Sequence, residues 1–291
     1  QSPFFGRTSS PRSSRHGLPA FTDLLRGVAN GYREQQEEIR TQNGSLREAL
    51  TATDATRMAA DTELGPAPLE EARRQLEQGF ESRHGGFGGA PKFPMTAYLV
   101  RLLRHWHATA AAGQGDEPAR EMALYSLERM AEGGMYDHLG GGFCRYSVDD
   151  RWMIPHFEKM LYDNGPLLEA MAFAWQVTGR ELFARTARET AAWVMREMQG
   201  PEGGYYSSLD ADSEGEEGKF YVWDKAEVED LLEPAELQAL GTRFGLDRPP
   251  NFEGRWHLHG YQSLEDTARQ LDLPPPEAAA LVDGARARLP A

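Results

Sequence analysis

Apolar residues recur at helical spacing along most of the chain. Phe21, Leu24, Leu25, Val28 and Tyr32 fall at i, i+3, i+4, i+7 and i+11 and mark one amphipathic helix, which Asn43-Gly44 is expected to interrupt. A Thr/Ala/Asp stretch from Thr51 to Thr62 runs into Gly65-Pro66-Ala67-Pro68, the best linker candidate. Leu69, Ala72, Leu76 and Phe80 then repeat the spacing, as do Leu99, Leu102, Leu103 and Trp106 after an expected Thr96 cap. Asp116-Glu117-Pro118 is a strong helix start leading to Met122, Leu127 and Met130. Asn164-Gly165-Pro166 is expected to open a helix carrying Leu167, Leu168, Met171 and Trp175 up to Gly179. The next runs through Leu182, Phe183, Thr190, Trp193, Val194 and Met198 and stops at Gly200-Pro201. Strand signals are few: Phe220-Tyr221-Val222-Trp223 and Phe143-Cys144-Arg145-Tyr146-Ser147. Six or more helices in antiparallel hairpins predict a mainly α protein, with the stripes as core and the function in the long loops between helix ends.

Double glycines punctuate those loops. Gly85-Gly86-Phe87, Gly141-Gly142-Phe143 and Gly203-Gly204-Tyr205 begin 56 and 62 residues apart, and Gly133-Gly134-Met135-Tyr136 falls within the second interval. Each pair permits unusual backbone, and the aromatic that follows is expected to anchor the turn in apolar surface. Such periods exceed those of helical solenoids and fit helical hairpins with long loops.

Composition narrows the function. The 291 residues carry a formal net charge of −14, which argues against nucleic-acid binding, and no apolar run reaches a membrane span. Between Glu202 and Glu236 lie twelve acids against Lys219 and Lys225, a run whose default reading, for Glu216 and Glu217 among others, is a solvated surface. The single Cys144 excludes an internal disulfide, a dithiol redox pair and a cysteine zinc site. With no signal-like start at Gln1-Ser2-Pro3, a cytoplasmic protein and a fragment of a longer one is expected.

Three loops could do chemistry. Gly85–Pro94 loosely suggests a phosphate cradle but lacks the P-loop pattern and a preceding strand, so a structural turn is expected. The second loop runs from Tyr136 through Arg145 to Asn164 and interleaves ionisable with large apolar side chains, the mixture that shifts pKa values. If the chain is helical from His156 onward, His156, Lys159 and Asp163 share one face, with Glu158 and Tyr162 on the other. A histidine held there is suited to proton transfer; a buried, fully bonded network is the competing reading. In the third loop Asp210, Asp212, Glu214 and Gly215 mimic a calcium loop, but Tyr221 stands where the bidentate Glu belongs. No metal or other cofactor is therefore expected, although weak divalent binding stays open. Paired carboxylates flanked by Tyr205, Tyr206 and Trp223 also suit a sugar site, one carboxyl as acid, another as base, with aromatic faces on the ring.

Gly85-Gly86-Phe87-Gly88-Gly89-Ala90-Pro91-Lys92-Phe93-Pro94, Gly141-Gly142-Phe143, Pro155-His156-Phe157-Glu158-Lys159-Met160-Leu161-Tyr162-Asp163-Asn164 and Leu209-Asp210-Ala211-Asp212-Ser213-Glu214-Gly215 together resemble the thioredoxin-domain-containing proteins of the spermatogenesis-associated type. The resemblance spans most of the chain. It implies a thioredoxin-like domain joined to an α/α toroid of the six-hairpin glycosidase type, similar to N-acylglucosamine 2-epimerase and several glycosidases. Residues 1–50 would be the end of the thioredoxin-like domain, with Pro3-Phe4-Phe5-Gly6 its last part, 51–65 a linker, and 66–291 an incomplete toroid. Any redox dithiol would lie upstream of Gln1, and the toroid would continue past Ala291. Toroid loops of one end line a central cavity, so His156, Glu158, Tyr162, Asp163, Asp210, Asp212 and Glu214 are the candidate catalytic residues. Tyr205, Tyr206, Trp223 and Arg145 are the candidate substrate contacts. The expected activity is epimerisation or hydrolysis of a small-molecule sugar; the alternative is a non-catalytic binding or scaffold module.

Overall fold

A computed structural model describes residues 5–6, 10–14, 17–53 and 65–289. Most of the expected linker, and Pro3-Phe4 of the N-terminal resemblance, lie outside these residues. The chain divides into two compact units, Gln1–Pro66 and Ala67–Ala291.

In the first unit, α1 (Phe21–Glu34) and α2 (Gln36–Thr53) are separated at Gln35, where φ is −119°. The break expected at Asn43-Gly44 does not occur. One glycine costs a helix only about 1 kcal/mol. The hydroxyls of Thr41 and Ser45 donate to the carbonyls of Glu37 and Thr41, so the turn continues.

The second unit opens with α3 (Ala67–Gly79), α4 (Thr96–Ala111) and α5 (Glu117–Glu132). Three short strands follow, β1 (Tyr146–Ser147), β2 (Pro155–His156) and β3 (Lys159–Met160). Next come α6 (Leu161–Thr178) and α7 (Glu181–Trp193), the latter ending in a π-helical turn, Val194–Met198. Then come β4 (Ser208–Leu209), β5 (Asp212–Ser213), β6 (Glu216–Glu217), a 3₁₀ turn at Lys219–Tyr221, and β7 (Val222–Trp223). The remainder is α8 (Lys225–Leu231), α9 (Pro234–Phe244), β8 (Trp256–His257), α10 (Leu264–Gln270) and α11 (Pro275–Arg288). The protein is mainly α, and the strands form only two-residue antiparallel pairs, β1 with β2, β3 with β4, β5 with β6 and β7 with β8. The stretch 220–223 is thus only half strand.

The α4/α5 and α6/α7 hairpins lie side by side, α4 against α6 and α5 against α7. Their stripes close one apolar core around Leu99, Leu102, Leu127, Met130, Leu167, Met171 and Phe183. A second core gathers Val228, Leu240, Phe244 and Val282 from the C-terminal helices with Leu258 and Leu289 from the segments beside them. Asp116 caps α5, accepting from the amide of Ala119 at 3.1 Å. It also takes two bonds from Arg73, at 2.7 and 3.0 Å, tying α3 to the hairpin. Thr96, the expected cap, is instead the first helical residue of α4; the cap is Met95, in the left-handed region at φ 46° with no side-chain bond. α6 starts three residues before the expected Asn164, because Leu161 is drawn in by β3 and its amide donates to Ser207 O.

Three of the double glycines, Gly85-Gly86, Gly133-Gly134 and Gly141-Gly142, are close-approach sites, whereas a Cβ on Gly203 or Gly204 would meet nothing. Gly142 has φ 80°, and a Cβ there would stand 2.6 Å from the Trp193 ring. A Cβ on Gly134 would overlap the carbonyl oxygen of Met153 and the His257 ring. Phe87 and Phe143, after their glycine pairs, are buried as expected, whereas the Tyr205 ring is half in solvent. The Gly85–Pro94 loop is a structural turn. Its Lys92 is fully buried, donating to Glu81 and to the carbonyl of Asp150 at 3.0 and 3.1 Å beneath the Trp152 ring.

Candidate functional site

The segment from Pro155 to Met160 is extended, so the condition for a shared helical face from His156 onward is not met. Successive side chains therefore point to opposite faces. Pro155, Phe157 and Lys159 are buried, while His156, Glu158 and Met160 are not. His156, Lys159 and Asp163 consequently do not share a face. His156 and Glu158 face outward together, and Lys159 faces inward.

The outward face holds a charged cluster. His156 Nδ1 lies 2.6 Å from Glu217 Oε1 on β6, and its Nε2 lies 3.7 Å from Glu158 Oε2. Glu158 accepts from Arg145 at 3.0 Å, and the Arg145 guanidinium stands 6.0 Å from the Tyr162 ring. In the first turn of α6, Asp163 is half-buried with Oδ2 unbonded. Burial pushes its carboxyl up to about 6, and the Glu158 charge adds to the rise while Arg145 opposes it. Beside this cluster the rings of Phe93, Tyr146 and His156 form a ladder, with centroids 4.7 Å and 5.1 Å apart. Phe93 and Tyr162 keep much of their ring surface in solvent.

The inward face carries a different arrangement. The Lys159 ammonium donates to Asp137 Oδ2 at 2.7 Å and Gly141 O at 2.8 Å, and it sits between the Trp193 and Tyr221 rings at 4.9 and 5.1 Å. Burial works against ionisation of Asp137. The Lys159 charge and the amides of Gly140 and Leu139 outweigh it and hold the carboxyl below its usual value. This pair forms one wall of a cavity of about 300 Å³, whose lining also includes Trp193, Arg196, Asp210 and Asp212. The β3–β4 register, Lys159 opposite Leu209, brings Asp210 there from fifty residues away.

The expected site residues thus fall into separate groups. His156, Glu158, Arg145, Tyr162 and Asp163 gather on the outward face, while Asp210 and Asp212 line the cavity. Glu214 sits at the tip of the β5/β6 hairpin with Gly215, at φ 54° and 82°, and pairs with Lys219 at 2.7 Å. That two-residue turn, rather than a calcium loop, accounts for the acid spacing. No group of three His, Cys, Asp or Glu among the described residues could hold a metal. Tyr205 and Tyr206 are exposed beside Met198 and Gln199, and Trp223 packs against the second core. Sequence reasoning missed Glu217, taken for solvated surface, and the ring ladder of Phe93 and Tyr146. The dyad-like spacing of β5 and β6 around Glu214-Gly215 was the available signal for Glu217. Cys144 is buried and its thiol is pushed up to about 12, which leaves it inert.

A third cluster holds the second core to the first. His259 Nδ1 accepts from the amide of Gly134 at 3.1 Å, and His257 Nε2 donates to the carbonyl of the same residue at 2.6 Å. His138 Nε2 donates to Gly133 O at 2.8 Å. Burial lowers all three imidazoles, His259 to about 3.

These features define a mainly α protein of packed helical hairpins whose polar loops meet around one extended segment. No family model matches the chain. It is 35% identical over 239 residues to the human spermatogenesis-associated protein 20, covering 79% of this chain and 30% of that protein. The mouse spermatogenesis-associated protein 20 is 33% identical over 298 residues, covering 93% and 38%. The chain thus spans about a third of the length of these curated relatives. Among solved structures it is similar to a cellobiose 2-epimerase from Bacillus thermoamylovorans, at 16% identity and TM-score 0.40, over 50% of this chain and 42% of that one. A sugar epimerase from a ruminal bacterium gives 16% identity and TM-score 0.40 over 59% and 48%. Among the described residues no helix is long and apolar enough to cross a membrane.

Proposed function

We propose that residues 66–291 are part of a carbohydrate-active helical toroid and that the outward face of the 155–160 segment is its acid–base site. One observation carries the reading: Asp163, half-buried with Oδ2 unbonded, stands within electrostatic reach of Glu158, a carboxylate ion-paired to Arg145 at 3.0 Å. Two carboxyl groups held in different environments are what acid–base sugar chemistry requires, one to hold a proton up to about pH 6 and one to remain charged. In this reading Asp163 protonates the departing or ring oxygen, and His156 Nε2 accepts a proton from the sugar or from water. Glu158 stabilises the developing positive charge. The half-exposed Phe93 and Tyr162 rings offer apolar faces for a sugar, and Arg145 donates to its hydroxyls. Asp210 and Asp212, in the neighbouring cavity, accept further hydroxyls. Hydrolysis and epimerisation both use this set.

The alternative is a module that binds sugar or protein without turnover. It is favoured by the number of carboxylates already paired: Glu158 to Arg145, Glu217 to His156, Glu214 to Lys219 and Asp137 to Lys159. The test is a screen of the 291-residue chain against aryl glycosides and reducing disaccharides, with Asp163→Asn and His156→Ala alongside. Turnover that falls at least about a hundredfold in both variants supports the acid–base reading. Turnover untouched in both removes it, and saturable sugar binding without turnover selects the module.

A further inference from the structure

Glu217 belongs to an exposed hairpin, yet it makes the shortest side-chain contact of His156. The Glu214-Gly215 turn fixes the register, pairing Asp212 with Glu217 and Ser213 with Glu216. Alternation along β6 then sends Glu216 toward Lys219, at 3.4 Å, and Glu217 toward β2. A carboxylate only accepts, so the 2.6 Å contact requires His156 Nδ1 to carry the proton. The second nitrogen has no such bond, because 3.7 Å to Glu158 is beyond hydrogen-bonding range. Stacking on Tyr146, at 23° between ring planes, supports one face of the imidazole in that orientation.

We infer that Glu217 is a positioning residue: it fixes His156 as the Nδ1–H tautomer and leaves the Nε2 lone pair free beside Glu158 as the proton acceptor. An imidazole without such a partner favours the opposite, Nε2–H, form, so the assignment is diagnostic. A proton taken up at Nε2 gives an imidazolium whose Nδ1–H stays bonded to the Glu217 carboxylate, which stabilises the charge as it forms. The tautomer assignment stands on geometry alone; its catalytic meaning rests on the acid–base reading above. The acid run that looks like plain solvated surface thus contains one carboxylate aimed at the site and one, Glu216, that is not.

Long-range ¹H–¹⁵N spectra of the labelled 291-residue chain, recorded where His156 is neutral, test this directly. The expected result is a protonated Nδ1 and a lone-pair Nε2 at His156, shifting toward Nε2–H in Glu217→Ala. Glu216→Ala should leave the tautomer unchanged, and Glu217→Asp should restore part of the Nδ1–H population. Both glutamates are exposed, so neither substitution touches a core. An Nε2–H imidazole in the unaltered chain, or a tautomer indifferent to Glu217→Ala, overturns the inference. For any sugar that is turned over, kcat should fall at least about tenfold in Glu217→Ala with KM within about twofold. A rise in KM with kcat unchanged would overturn the catalytic role. Absence of any turnover would defeat the acid–base reading while the tautomer result still judged Glu217.

Discussion

Mild acid should loosen the attachment of the second core, and His259 gives the magnitude. Its Nδ1 must be unprotonated to accept from Gly134, and burial, with Arg129 next, holds the imidazole near 3 against an ordinary 6.5. Between those two values the unfolded chain binds a proton that the native chain refuses. Stability therefore rises with pH across this window and is lost as pH falls below the unfolded value. For one such group, going from pH 7 to pH 5 costs about 2 kcal/mol. Asparagine can place Oδ1 where Nδ1 stands, keeping the bond to Gly134 and removing the titration. Urea unfolding of the wild type and His259→Asn at both pH values isolates the effect. The wild type should lose about 2 kcal/mol more than the variant between pH 7 and pH 5, seen as a larger drop in midpoint. Parallel pH dependence in the two proteins would refute the reasoning.

Two further substitutions probe the charged groups. Asp163→Asn should stabilise the chain by about 1 kcal/mol at pH 7, after discounting for its half-exposure, because the native state pays to ionise a carboxyl raised from 3.8 to about 6. The stability of protonated Asp163 is full below 3.8 and lost as pH rises through 6, so the gain should vanish by pH 4; urea midpoints at both pH values check it. Lys159→Met should cost about 3–5 kcal/mol by leaving Asp137 buried and uncompensated, and Lys159→Met with Asp137→Asn should recover more than half, measured by the same denaturation. Equal losses in single and double variants would show that the ammonium's bond to Gly141 and its ring contacts, not the ion pair, are what matter.

The hairpin helices were legible because their signals were local. Asp116 followed by a proline marked the start of α5, and Gly179, at φ 66°, marked the stop of α6. The extended 155–160 segment was misread although Pro155, Phe157 and Lys159 alternate with polar residues at period two. A lysine at an inward position disguises the pattern, and its burial is made tolerable by partners remote in the chain, Asp137 and the carbonyl of Gly141. Glu217 and the Phe93–Tyr146 stack were out of reach for the same reason: each contact joins residues separated by some fifty positions or more. The second core went unread because its stripes are short and begin at acidic caps, Asp224 and Glu233, inside what looked like a uniform charge run.

The alternation of Pro155–Met160 also has an evolutionary consequence. Inward positions answer for folding and outward positions for reactivity, so selection can act on one set with little penalty in the other. His156 and Glu158 could be exchanged for other polar residues without repacking Phe157. A lineage could therefore retire the chemistry of this face, or acquire a new one, while keeping an intact scaffold.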